Sequence, residues 1–187
     1  MIKINNISKS FENTQVLSGV TYEFPDGATT AISGPSGKGK TTLINIILGL
    51  LKPDTGSVEF TNGKRMACVF QEDRLIDHMT AVQNLQLTSP HGADISAALR
   101  ALGLDPENTE KVAKYSGGMR RRVAIARAVL AKPDMLILDE PFKGLDEDSR
   151  SAAAEYILNN CPDACRILVT HDPDEMELMQ VSHTLNI

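Results

Sequence analysis

Two short runs of this 187-residue chain carry the residue types of phosphate chemistry. The first is Gly34-Pro35-Ser36-Gly37-Lys38-Gly39-Lys40-Thr41, continued by Thr42. It reads as glycine, four residues, then Gly-Lys-Thr, set between a predicted strand and a predicted helix. Glycines there let successive backbone N–H groups turn inward around an anion. The helix that follows points its positive dipole end at the same place. Lys40 would then sit at the β- and γ-phosphates, with the Thr41 hydroxyl on Mg²⁺. Lys38 is a second cation in the loop, either solvated or an extra phosphate contact. The second run is Met135-Leu-Ile-Leu138 ending in Asp139-Glu140-Pro141. A continuous apolar run marks a strand buried on both faces. Its end places two carboxylates at the carboxyl edge of a parallel sheet, where ligands bind. Asp139 would hold Mg²⁺, and Glu140 would orient and deprotonate an attacking water. An acidic strand end on its own is more often a helix cap; the phosphate loop favours the chemical reading.

The elements that position these groups follow from pattern. Ile2, Ile4 and Ile7 stand apolar among polar neighbours, as in a strand. Residues 22–31 read as a hairpin turning at Pro25-Asp26-Gly27. Residues 41–51 have the apolar content of a buried helix, stopped by Lys52-Pro53. Val58 to Phe60 and Met66 to Phe70, joined by Asn62-Gly63, read as a second hairpin. Residues 80–111 predict two or three short helices, and Ser116 opens a longer one to about Ala131. A helix from about Glu147, a buried strand at Ile167 to Val169 and a short helix capped by Asp172-Pro173 complete the pattern. Alternating strands and helices imply a mostly parallel sheet with flanking helices, an α/β fold.

Composition narrows the function classes. A net charge of −5 rules out a strongly basic nucleic-acid binder as the default reading, and no nucleic-acid partner is expected. No apolar run reaches ~18 residues, and the amino terminus has no signal-peptide core. The expectation is a cytoplasmic protein. Three cysteines give no disulfide framework. Cys161 and Cys165 lack the further ligands that structural zinc needs, so they read as ordinary reduced thiols.

Five segments in order then carry a resemblance spanning the chain. Tyr115-Ser116-Gly117-Gly118-Met119, continued by Arg120-Arg-Arg-Val-Ala-Ile-Ala-Arg127, resembles the signature of ABC transporter nucleotide-binding subunits. The phosphate loop, Val69-Phe-Gln71-Glu, Asp139-Glu-Pro-Phe-Lys-Gly-Leu-Asp146 and Val169-Thr-His171-Asp172 resemble that family's Walker A, Q-loop, Walker B with D-loop, and switch histidine segments. The resemblance implies a P-loop NTPase core with an N-terminal antiparallel β subdomain. It also implies a short inserted helical subdomain at about 72–131 within one domain, 1–187. The stretch from Lys40 to Asp139 is short for the family, trimmed in the helical part that faces the membrane partner. The chain is expected to end without a regulatory tail.

The same resemblance assigns roles. Phe11 falls where the family stacks an aromatic on adenine; its alternative is core packing. Ser116, Gly117 and Gly118 would bind the γ-phosphate of ATP held by the other subunit, besides capping a helix. Gln71 would reach Mg²⁺ or the attacking water and report nucleotide state. His171 would contact the γ-phosphate and hold the water at Glu140. Asp146 either bridges two subunits or caps a helix. The Arg120 to Arg122 run reads as a solvated helix face near bound ATP. Met119 and Asp-Glu-Pro-Phe142 resemble the nitrate, sulfonate and taurine importer branch. The implied function is Mg²⁺-dependent ATP hydrolysis in a head-to-tail dimer, a homodimer or a pair of related subunits. The implied partner is a separate membrane permease, with a solute-binding protein in import, and the implied place is the inner face of the membrane. The alternative is a regulatory or mechanical ATPase on a non-transport membrane partner.

Overall fold

In the computed structural model, which describes residues 2–12, 14–35, 37–60 and 65–187, two sheets meet across a shared apolar layer. The chain opens with β1 (Ile2–Phe11), β2 (Thr14–Phe24), β3 (Thr29–Ser33), α1 (Lys40–Ile47) and β4 (Thr55–Phe60). It continues with β5 (Met66–Val69), α2 (Ala81–Gln86), α3 (Ile95–Ala101) and α4 (Gly117–Leu130). It closes with β6 (Met135–Asp139), α5 (Glu147–Asn160), β7 (Cys165–Val169), α6 (Pro173–Leu178) and β8 (Val181–Asn186). One sheet is antiparallel, in the order β2-β1-β4. The other is parallel, in the order β5-β6-β7-β3-β8.

The continuous apolar runs are explained by the two cores. Met135 and Ile137 of β6 pack into the layer shared with β1, β2 and α1, among Ile4, Phe24 and Leu43. Leu136 and Leu138 point the other way, into a core built from α2 to α5. Both faces of β6 are therefore buried, and every one of its residues is out of water. Burial of each such side chain contributes about 1.5–3 kcal/mol. Together they fix the strand end that carries Asp139.

Three expected elements differ. Residues 22–31 form no hairpin: Pro25-Asp26-Gly27 is a turn, but β2 pairs with β1 while β3 enters the parallel sheet beside β7 and β8. The second hairpin is also absent. β4 pairs antiparallel with β1, and β5 pairs parallel with β6. Asn62-Gly63 lies outside the described residues. Both pairs of strands were adjacent in sequence, and the local turn signals say nothing about which sheet each strand joins. The helix over 41–51 ends earlier, at Ile47. Gly49 takes φ 71°, its N–H reaches Ile46 O and the Leu50 N–H reaches Asn45 O, a Schellman stop that leaves Leu50 exposed. β8 had no sequence expectation. It is a sheet edge whose Ser182, His183 and Thr184 face solvent, so its apolar signal is weak. Among the described residues no helix is long and apolar enough to cross a membrane.

Candidate functional site

Gly39 caps α1 with φ 98° and no side-chain cap bond. A Cβ there would lie 2.7 Å from Val16 Cγ1, so both backbone and space demand glycine. The first-turn N–H groups of α1 have no side-chain partner at the cap and are available to an anion. Lys40 Nζ donates to Gly34 O at 2.7 Å and Pro35 O at 3.0 Å. Gly34 and Pro35 thus hold the cation through their carbonyls. Lys38 is exposed. Ser36 lies outside the described residues.

At the end of β6 the backbone breaks sharply. Glu140 has φ 48°, uncommon for a residue with a side chain, and its N–H donates to Val169 O at 3.0 Å. Glu140 Oε2 accepts from Lys143 Nζ at 3.0 Å and from Gln71 Nε2 at 3.3 Å. Asp139 is buried, and its carboxyl is pushed above the usual range by that burial and then by the charge of Glu140. Arg121, Lys40 and Lys143 offset part of the rise.

These groups share one cavity of about 320 Å³. Gly37, Gly39, Lys40, Thr41 and Thr42 line it from α1 and its loop, and Asp139 and Glu140 line it from β6. Gln71 and Phe11 complete the wall. Phe11 is 46% exposed, which sets aside the core reading for it. Val16 and Val169 also line the cavity and had no signal in the sequence. The hydroxyl of Thr41, the amide of Gln71 and the carboxylate of Asp139 are hard oxygen donors. A buried carboxyl with a raised pKa beside a second carboxylate is a place where a divalent cation fits.

His171 lies elsewhere, on a second cavity of about 240 Å³ that also touches Glu140 and Lys143. Glu140 therefore stands between the two cavities. Thr170 Oγ1 donates to the buried Glu175 at 2.6 Å and accepts from the Asp172 N–H at 3.1 Å, which fixes the turn bearing His171.

Ser116, Gly117, Gly118 and Asp146 line neither cavity. Ser116 Oγ accepts from the Met119 N–H at 3.2 Å as the cap of α4. A Cβ on Gly118 would lie 3.4 Å from Gly144 O, so the start of α4 runs beside the segment leading to Asp146. Asp146 caps α5 by accepting from the Ser149 N–H at 2.8 Å, and this bond holds its carboxyl below the usual range. The capping reading of Asp146 is thus realised within the chain.

The arginine run corrects its expectation. Arg121 is buried, with Nη1 and Nη2 each 2.6 Å from the carbonyls of Phe70 and Gln71. Arg127 donates to Arg74 O at 2.8 Å and Asp73 O at 3.0 Å. Arg120 pairs with Asp77 at 2.8 Å, and Arg122 donates to Leu102 O at 2.9 Å. The run is a set of inward staples, because carbonyls in the loops beside α4 lack ladder partners and take the guanidinium donors. Lys143 was also missed; its place three residues after Glu140 was the available signal.

Comparison with known proteins gives the chain's family and fold relatives. A family model described as ABC transporter matches residues 17–143. Molybdenum import ATP-binding protein ModC of Mesorhizobium japonicum is 40% identical over 152 residues, covering 70% of this chain and 41% of that protein. Fe(3+) ions import ATP-binding protein FbpC 1 of Rhodococcus jostii is 34% identical over 93% of this chain and 56% of its own length. The chain thus spans about half the length of the curated relatives it matches. A solved structure of the ATP-binding cassette MJ0796, dimeric and bound to ADP and Pi after hydrolysis, superposes with TM-score 0.86 at 26% identity. It covers 100% of this chain and 94% of that one.

Proposed function

The chain belongs to the ABC transporter family, and from that premise we propose that it is the ATP-hydrolysing subunit of an importer. One observation carries the reading: Lys40, Asp139, Glu140 and Gln71 line a single cavity at the carboxyl edge of the parallel sheet. The matched relatives are named as import ATP-binding proteins, which supports import as the direction.

The mechanism follows from these side chains. Lys40 leaves the Gly34 and Pro35 carbonyls for the β- and γ-phosphates of ATP, a charge-assisted exchange. The open N–H groups of α1 hold the phosphates in line. Phe11 offers its exposed ring to the adenine. Thr41, Asp139 and Gln71 would hold Mg²⁺, which when bound draws charge from the β- and γ-oxygens. Water attacks the γ-phosphorus, the bond to the bridging oxygen breaks, and ADP leaves. Glu140 takes the water proton on its carboxylate, for which its Lys143 contact must loosen. His171, on the other side of Glu140, holds the water and γ-phosphate.

Ser116, Gly117 and Gly118 line neither cavity of their own chain, which supports their use by a second copy. Two chains, identical or related, close head to tail around two ATP molecules, with Asp146 near the junction. Their closure drives a membrane permease from the cytoplasmic face, with a solute-binding protein delivering cargo. Met119 and the Asp-Glu-Pro-Phe142 segment support the nitrate, sulfonate and taurine branch. Phosphate release by the purified chain with Mg²⁺ and ATP tests the reading. Turnover that disappears on chelation supports it, and no turnover with any nucleotide overturns it.

A further inference from the structure

Gln71 sits on a stretch, residues 70–80, that has no helix or strand of its own between β5 and α2. Its side chain is exposed, yet its amide reaches Glu140 Oε2 at 3.3 Å. The stretch pairs at Thr80 with Lys111, but among the described residues no sheet ladder fixes the backbone at Gln71 itself, so something else must hold it in place. The holder is a side chain of α4. Arg121 Nη1 donates to Phe70 O and Nη2 to Gln71 O, both at 2.6 Å. Its Nε lies 3.4 Å from Asp73 Oδ1, an ionic contact without a hydrogen bond. Arg121 is 5% exposed, so its fork makes these contacts largely shielded from water. A planar fork fixes the relative orientation of two carbonyls, which a rotatable ammonium does not.

Arg121 is one and a half turns along α4 from the Ser116 cap. The helix whose start would meet the partner's ATP thus carries the residue that grips the Gln71 backbone. Arg120 and Arg127 hold residues 73, 74 and 77 further along, but among the described residues only Arg121 reaches the carbonyl of Gln71 itself.

We propose that Arg121 is a positioning residue for ATP hydrolysis: its fork sets the Gln71 backbone so that the Gln71 amide meets Glu140. The proposal rests on the ATPase reading above. A residue that only stabilised the fold would slow turnover independently of Gln71. A residue that acts through Gln71 would lose its effect once the Gln71 amide is gone, and a double-mutant cycle separates the two.

The experiment uses the full chain with Mg²⁺ and ATP. R121M and Q71A should each lower kcat roughly ten- to a hundredfold, with KM and the affinity for a fluorescent ATP analogue nearly unchanged. R121M added to Q71A should lower kcat by no more than about twofold further. Multiplying losses in the double variant, wild-type kcat in R121M, or wild-type kcat in Q71A would each overturn the proposal. R121M leaves two carbonyls unpaired, so R121K carries the same cycle if R121M does not fold. Amide hydrogen exchange then reads the opening of the segment that the tether holds: residues 70–74 should exchange faster in R121K while α4 keeps its protection. Unchanged exchange there overturns the proposal. Absence of turnover in the wild-type chain counts against the ATPase reading, and exchange then decides the tether alone.

Discussion

Two helix starts in this chain are built in opposite ways. α1 begins at a glycine with no side-chain cap, and its N–H groups open into the cavity of Lys40 and Asp139. α4 begins at Ser116, whose hydroxyl already accepts from the Met119 N–H, and its start lines neither cavity. An uncapped start leaves its N–H groups free for an anion, and the cavity they open into is lined by residues of the same chain. A capped start is complete by itself, and any phosphate it meets must come from outside. If the site is shared between two chains as proposed, this contrast is how one chain would carry both halves without joining them.

The largest effect tests the α1 half. Glu140→Gln keeps shape and hydrogen bonding but removes the proton acceptor. Turnover should fall ~10²-fold or more while ATP still binds. Phosphate release beside nucleotide binding measures both, and normal turnover would remove Glu140 from the mechanism. Lys40→Ala comes next. It removes the flexible cation that now rests on Gly34 and Pro35. Loss of a charge-assisted phosphate contact should weaken ATP by about tenfold to a hundredfold. Titration calorimetry reads this, and unchanged affinity would break the assignment of α1 as the anion-holding start.

How far each start was legible follows from the same difference. The phosphate loop is contiguous, so glycines and Lys40 announce themselves in eight residues. Asp139 and Glu140 follow a run apolar enough to be buried on both faces, and that run alone placed them at the sheet edge. The α4 arginines were visible but misread, because most of their hydrogen-bond partners are backbone carbonyls. Gln71 O lies 50 residues from Arg121 in sequence, and every residue has a carbonyl, so no residue type marks the partner. The two false hairpins failed for a related reason: Pro25-Asp26-Gly27 predicts a turn, but sheet membership depends on β6 and β7 far along the chain. Lys143 beside Glu140 needed only local geometry, and the positive φ of Glu140 that sets that geometry is not a property of its residue type.

Mixing two inactive chains tests whether the halves meet in trans. Ser116→Arg blocks the α4 start, and Lys40→Ala disables the α1 start. A mixed dimer holds one intact site and one with both defects. Random pairing returns about a quarter of wild-type sites. Rescue above either variant alone requires a shared site, and full activity of Ser116→Arg by itself would show that the α4 start takes no part.

The smallest effect concerns the cost of keeping the α1 half ready. Asp139 is buried beside Glu140, and burial pushes its carboxyl up from the unfolded value of 3.8. A raised folded pKa means that the folded state binds the proton more tightly than the unfolded state. The ionised form therefore opposes folding, and stability falls as pH rises from 3.8 through the raised folded value. Asp139→Asn removes the charge but keeps the shape. Without nucleotide or Mg²⁺ it should stabilise the chain at pH 7 by on the order of 1 kcal/mol, at the expense of turnover. The gain should shrink as the pH is lowered through that raised value and the wild-type carboxyl takes up its proton. Thermal melts of both chains across that range measure it. Equal melting temperatures at pH 7 would mean that Lys40, Lys143 and Arg121 already neutralise the buried charge. The site would then be electrostatically complete before any cation arrives, and the uncapped start of α1 would be its only unmet demand.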